Sequence, residues 1–198
     1  MTPERLNAFS DGVIAIIITI MVLELNVPHG TDLAALSTVF PEFLVYVLSF
    51  VIVGIYWNNH HHLLYLTRRI TGGILWANLH LLFWLSLMPF VTGWMGENHF
   101  APLPTALYGV VLLFAAIAYY VLEQIIIRKQ PADSALAIAV GGDTKGRISL
   151  VLYASAIPLA FVNQLISDAL YALVAVIWFI PDSRIESLLD ENAEGTRT

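Results

Sequence analysis

Two carboxylates bracket the first apolar stretch of this sequence. Only 12 residues separate Asp11 from Glu24, so one or both must lie at or inside the boundary of any membrane the segment enters. Ionisable groups at such a depth are costly to place and mark candidates for function. On a helical wheel Gly12, Ile16, Thr19, Ile20 and Leu23 share one face, and Asp11 points roughly the other way. The stripe sets one hydroxyl, Thr19, among bulky aliphatics. It suits either a packing seam between helices or a pore with a narrow apolar constriction and a ring of hydroxyls. Spacing by itself favours the seam, because apolar stripes are usually core.

Asp11, facing away from that stripe, needs a partner if it is buried. Arg5 is six residues back on a different face. Trp57, Asn58, Asn59 and the run His60-His61-His62 lie at the end of a second apolar segment, and Asn78 and His80 lie in a third. Arg5, Ser10 and Asp11 therefore read either as part of a polar network joining these segments or as ordinary interfacial anchors. Three consecutive histidines diverge around a helix, and no nearby Cys, Asp or Glu completes a ligand set, so no metal is expected there. Local packing, or a response to cytoplasmic pH, is the better reading. Glu24 either concentrates cations at an outer mouth or marks the end of a span.

No nucleophile motif, nucleotide loop or metal set is visible, and no cofactor is expected. The absence of cysteine excludes disulfides and thiolate sites. A rival reading is a proton-coupled transporter or an intramembrane enzyme pairing Asp11 with a histidine; neither an inverted repeat nor a catalytic motif supports it. A membrane scaffold is a third.

The elements that position these residues are apolar helices. Hydrophobic residues make up 58% of the chain and charged ones only 12%, with a mean hydropathy of +0.76. One soluble core of this length could not bury that much apolar surface. Uncharged runs of 25, 27 and 25 residues lie between Glu42 and Arg68, Arg69 and Glu97, and Glu97 and Glu123; each can cross a bilayer as a helix. Strict alternation, the mark of a lipid-facing barrel, is absent. The spacing predicts helices from about Thr2-Pro3-Glu4, with Thr2 as a cap, to Asn26, and from Phe40 to Leu66. Two more run from Gly72-Gly73 to between Gly93 and Gly96, and from Thr105 to Ile127, with a polar loop before Phe40. The apolar stretch Ala135 to Val140 is read as lying along the membrane surface. From Arg147 to Asp182 run 34 residues without Lys or Arg, about 50 Å as one helix and too long for one span. The polar cluster Asn163, Gln164, Ser167 and Asp168 divides it into two short helices.

All nine cations fall before the first predicted span, after the last, or in alternate connections, which places both termini in the cytoplasm and requires an even number of spans. The first apolar stretch is read as a retained span, not a signal peptide. The expectation is an all-α polytopic membrane protein with six transmembrane helices: residues 1–181 form the membrane unit and 182–198 an acidic cytoplasmic tail.

Arg5, Phe9, Ser10 and Asp11, followed by Gly12, Ala15-Ile-Ile-Ile-Thr19 and Val22-Leu23-Glu24-Leu25, resemble the RxxxFSD signature in the first helix of the transmembrane-protein-175 family of potassium channels. The resemblance covers essentially the whole chain and implies a single-unit, bacterial-type member in the plasma membrane. Animal members carry two such units, so one unit implies a homotetramer with a central pore lined by the first helix. It further implies a constriction at Ile16 and Leu23, with Ile20 beside them, transient potassium at Thr19, and modest selectivity in place of the absent TVGYG filter. The gating or structural network it implies takes in Arg5, Phe9, Ser10, Asp11, Trp57, His61 and Asn78, with Glu24 at the outer mouth. Potassium ions and the lipid bilayer are the expected partners, and no nucleic acid is expected.

Overall fold

The computed structural model describes residues 2–65, 67, 69–129 and 144–179. Its elements are helices in the order α1 (Pro3–Leu23), α2 (Leu33–Thr38), α3 (Phe40–Tyr65), α4 (Gly72–Ser86), α5 (Met88–Glu97), α6 (Pro102–Ile127), α7 (Thr144–Leu159) and α8 (Gln164–Phe179). Four segments are long and apolar enough to cross a membrane: α1, α3, α4 with α5 as one stretch, and α6. α7 and α8 have 16 residues each, and α8 is apolar but shorter than a full span. The chain is thus an all-helical membrane protein.

Local chemistry fixes most boundaries. Pro3 stands at the first turn of α1, where its missing N–H costs nothing. Thr2 occupies the cap position but its side chain makes no capping bond. Asp32 caps α2 by accepting from the Ala35 N–H at 2.8 Å, so the expected polar loop contains a short helix. Thr71 caps α4 in the same manner through Ile74. α1 ends at Leu23, three residues before the expected Asn26, with Glu24 as its C-cap.

The third segment is not one helix. It breaks at Leu87, because Pro89 has no N–H and its ring crowds the carbonyl four residues earlier. α5 closes through His99 and Phe100, both with left-handed backbone (φ 50° and 59°). The Phe100 N–H returns to the Met95 carbonyl at 3.0 Å, and Pro102 then opens α6.

α1 rests on α3, α4 and α5, while α6 packs on α4, α5, α7 and α8. The interfaces of α6 are made by small residues, Gly109, Ala115 and Ala118, which allow close helix approach. Leu81, Leu85, Met88, Met95, Leu112 and Leu122 fill the space between. Inside this apolar core runs a chain of hydroxyls: Thr92 donates to Ser49 at 2.7 Å, and Ser49 and Tyr108 share a bond of 2.9 Å. It links α5, α3 and α6, each hydroxyl finding its partner inside the protein because lipid offers none. The proposed surface stretch Ala135 to Val140 and the tail 182–198 fall outside the described residues.

Candidate pore helix and the polar network behind it

α1 has two faces of different character. Leu6, Ser10, Ile14, Ile17 and Met21 are buried against the other helices. The stripe on the other side is uncovered: Gly12 and Thr19 are exposed, as are Ile16 (60%), Ile20 (40%) and Leu23 (77%). Within one copy the stripe is therefore not part of the core. It meets lipid or another copy. Thr19 donates its hydroxyl proton to the Ala15 carbonyl at 2.8 Å, so its oxygen lone pairs are left to accept.

Behind the stripe, two hydrogen-bonded groups tie α1 to α3 and α4. In the deeper one, Ser10, His60 and Asn78 are all fully buried. The Asn78 amide donates to Ser10 Oγ at 3.0 Å, and Ser10 donates onward to the Leu6 carbonyl at 2.9 Å. Asn78 Oδ1 can only accept, so His60 Nε2, 2.6 Å away, carries the proton between them. His60 Nδ1 is buried and has no partner.

The second group lies nearer the surface. Asp11 accepts from Trp57 Nε1 at 2.9 Å and from the Asn7 amide at 2.9 Å, and the same amide approaches His61 Nδ1 at 3.2 Å. No histidine bonds Asp11 among the described residues, so the acid-base pair required by the transporter or enzyme reading is not formed.

The structure brings together Ser10, Asp11, Trp57, His61 and Asn78 and adds a residue that was not expected, His60, which bonds Asn78. The signal was present in the sequence: His60 lies at helical spacing from Val45, Ser49, Val53 and Leu64, all buried, whereas His61 is about 100° off that face. Asn7 was missed too, although it sits four residues before Asp11 on the same face. Arg5 and Phe9 are exposed and take part in none of these bonds. Glu24 is exposed at the end of α1, its carboxylate lying against Gly93 of α5.

Trp57→Phe removes one donor to a partly exposed carboxylate that keeps its Asn7 bond. The expected loss is about 0.5–1.5 kcal/mol, read as a small drop in the midpoint of thermal unfolding in detergent; a loss several times larger would mean that Trp57 packs more than it bonds.

Residues 5–89 match the family described as endosomal/lysosomal potassium channel TMEM175. A potassium channel of a Chryseobacterium species is 55% identical over 192 residues, which is 97% of this chain and all of the relative. The chain belongs to the TMEM175 family. The fold agrees: the crystal structure of a lysosomal potassium-selective TMEM175 homologue from Chamaesiphon minutus superposes with a TM-score of 0.81 at 26% identity, over 91% of this chain and 97% of that one. The human endosomal/lysosomal proton channel TMEM175 is 41% identical over 83 residues, 36% of this chain and 16% of the human protein. TMEM175 proteins are channels and not enzymes. The matched region of the TMEM175 family takes in α1, α3, α4 and both polar groups described above.

Proposed function

We propose that this chain is one subunit of a homotetrameric, potassium-permeable channel with modest selectivity for potassium, and that four α1 helices line its central pore. The observation that carries this reading is the uncovered stripe Gly12-Ile16-Thr19-Ile20-Leu23 on a helix whose opposite face is locked in place by Ser10, Asn78 and His60. One copy of such a stripe encloses nothing, so a pore there needs several copies related by rotation. The naming of relatives as potassium channels supports potassium as the permeant ion.

In this arrangement Ile16 and Leu23, with Ile20, form apolar rings that supply no coordinating oxygen. They discriminate through the cost of stripping water from the ion. Thr19, whose proton is committed to its own backbone, presents four hydroxyl oxygens to a partly dehydrated cation. Glu24 lies one residue beyond Leu23 and sets a negative potential at the outer entrance. Six spans, with α7 and α8 as the last and shortest pair, put both termini in the cytoplasm, as the positions of Lys and Arg require. The network of Ser10, Asp11, Trp57, His60 and Asn78 holds α1 at a fixed distance from the pore axis.

The test is ion flux into liposomes holding the purified protein. Wild type should pass potassium faster than sodium; Thr19→Ala should reduce that preference severalfold, and Ile16→Asn should raise flux by wetting the constriction. Intact tetramers that pass neither ion, with both substitutions silent, would remove the channel reading.

A further inference from the structure

A cleft of about 50 Å³ opens between α3, α6, α7 and α8, and no residue of α1 lines it. Ile52, Tyr56, Tyr119, Tyr120, Tyr153 and Trp178 give its walls their character. Two further polar side chains of the lining, Asn59 and Ser149, are engaged within the protein. Asn59 donates to the Ile55 carbonyl at 2.8 Å, and Ser149 donates to the Lys145 carbonyl while accepting from Trp178 Nε1, each at 2.8 Å. The volume is well under the roughly 150 Å³ that admits a benzene ring, so the cleft takes only a short stretch of a narrow flexible chain, the rest lying along the lipid-facing surface.

The mouth of the cleft is marked by charge. Gly146, which lines it, is flanked by Lys145 and Arg147 in the first turn of α7. Arg128 and Lys129 end α6, and Arg128, Lys129 and Arg147 are all exposed. The described residues of α6 and α7 carry one carboxylate, Glu123, which is buried. Arg128 lies two helical turns past Tyr120, about 12 Å along the axis. If Tyr120 sits in the upper hydrocarbon, that reach places the cations at headgroup depth.

We propose that the cleft holds one acyl chain of an anionic phospholipid whose phosphate lies against Arg128, Lys129 and Arg147. Aromatic walls accept the chain, the cations select the headgroup, and the lipid joins α3 and α6 to the last two helices. Basic residues at the ends of membrane helices recognise anionic headgroups by this combination. The inference does not depend on what passes through the pore.

Because the chain has no cysteine, Tyr120→Cys can carry a bimane fluorophore at the rim as the single label. The probes are vesicles with phosphatidylglycerol or phosphatidylcholine of identical brominated chains, compared at equal mole fraction. Phosphatidylglycerol should quench more strongly, and the preference should fall about fivefold for each cation removed in Lys129→Gln and Arg147→Gln. Ala116→Phe fills the cleft, leaves the cations in place, and should abolish the preference. Equal quenching by the two lipids overturns the proposal, as does a preference that survives either the charge substitutions or the plug. Should the labelled protein fail to assemble, native mass spectrometry of the unlabelled wild type and the charge variants decides: selective retention of phosphatidylglycerol by wild type supports the proposal, and equal retention of both lipids overturns it.

Discussion

Asn78→Leu should destabilise the assembled protein by about 3 kcal/mol or more, because two buried groups lose their partner at once. His60 Nε2 donates to Asn78 at 2.6 Å, and its other ring nitrogen already has no partner. The substitution therefore leaves an imidazole with no bond at all in a site closed to water. Ser10 suffers less, since it still donates to the Leu6 carbonyl. Ser10→Ala strands the buried Asn78 amide and should cost about 1–3 kcal/mol. The discriminating measurement is a double-mutant cycle on thermal unfolding in detergent. Replacing both partners, His60→Leu with Asn78→Leu, should cost clearly less than the sum of the two single changes, since an apolar pair strands nothing. Additive losses would mean that the two residues contribute through packing volume and not through their bond.

Gly109→Ala should cost about 2–4 kcal/mol, although alanine is the better helix former by about 1 kcal/mol. A Cβ at this position would fall on the Tyr171 hydroxyl and come within 2.9 Å of Tyr171 Cζ and 3.1 Å of Ile157 Cγ1. Tyr171 has nowhere to go. Its hydroxyl donates to the Thr105 carbonyl at 3.1 Å, and its ring lies 5.4 Å from that of Tyr108 and 6.2 Å from that of Tyr153. Overpacking and loss of that hydrogen bond act together. Tyr171→Phe placed in the Gly109→Ala background removes the clashing oxygen and should recover part of the loss. Gly73→Ala, where a Cβ meets only ordinary contacts at 3.9 Å, serves as the control and should be close to neutral. A Gly109→Ala protein as stable as wild type would show that α6 and α8 can separate without penalty.

The helices were readable from charge spacing because lipid punishes every misplaced charge. α3 was expected from Phe40 to Leu66 and runs to Tyr65; α6 was expected from Thr105 and begins one turn earlier at Pro102. The chain divides into α7 and α8 as expected, but at residues 160–163: of the polar cluster only Asn163 lies in the turn, and Gln164, Ser167 and Asp168 belong to the start of α8. The break at Leu87 was missed although Pro89 was in view, since an uncharged run of that length reads as one span. α2 was missed because six residues carry too little periodicity to stand out.

The candidate site was legible in its parts and not in its pairings. Asp11 was expected to need a partner and has one in Trp57, 46 positions away. Its companion Ser10 was expected to belong to a network, and the choice between His60 and His61 was settled only by which face of α3 turns inward. The hydroxyl chain of Thr92, Ser49 and Tyr108 left no mark in the sequence. Its members are 43 and 59 positions apart, and single Ser, Thr and Tyr residues are common in apolar helices. Nor could any sequence pattern decide what covers the α1 stripe, since lipid and a second copy both accept Ile and Leu.

The distance along the chain between Ser10 and Asn78 bears on how the protein is made. These two residues are 68 positions apart. α1 leaves the ribosome before α4, and Asn78, which donates to its buried hydroxyl, emerges only with α4. Until then α1 must wait at the translocon or the lipid boundary with Ser10 bonded only to its own backbone. A nascent chain stalled before Asn78 should therefore hold α1 loosely against α3, with weak crosslinking between the two, whereas one stalled after α4 is released should crosslink strongly. In this protein the order of synthesis and the order of completion run in different directions: a helix that enters early is finished by one that follows it.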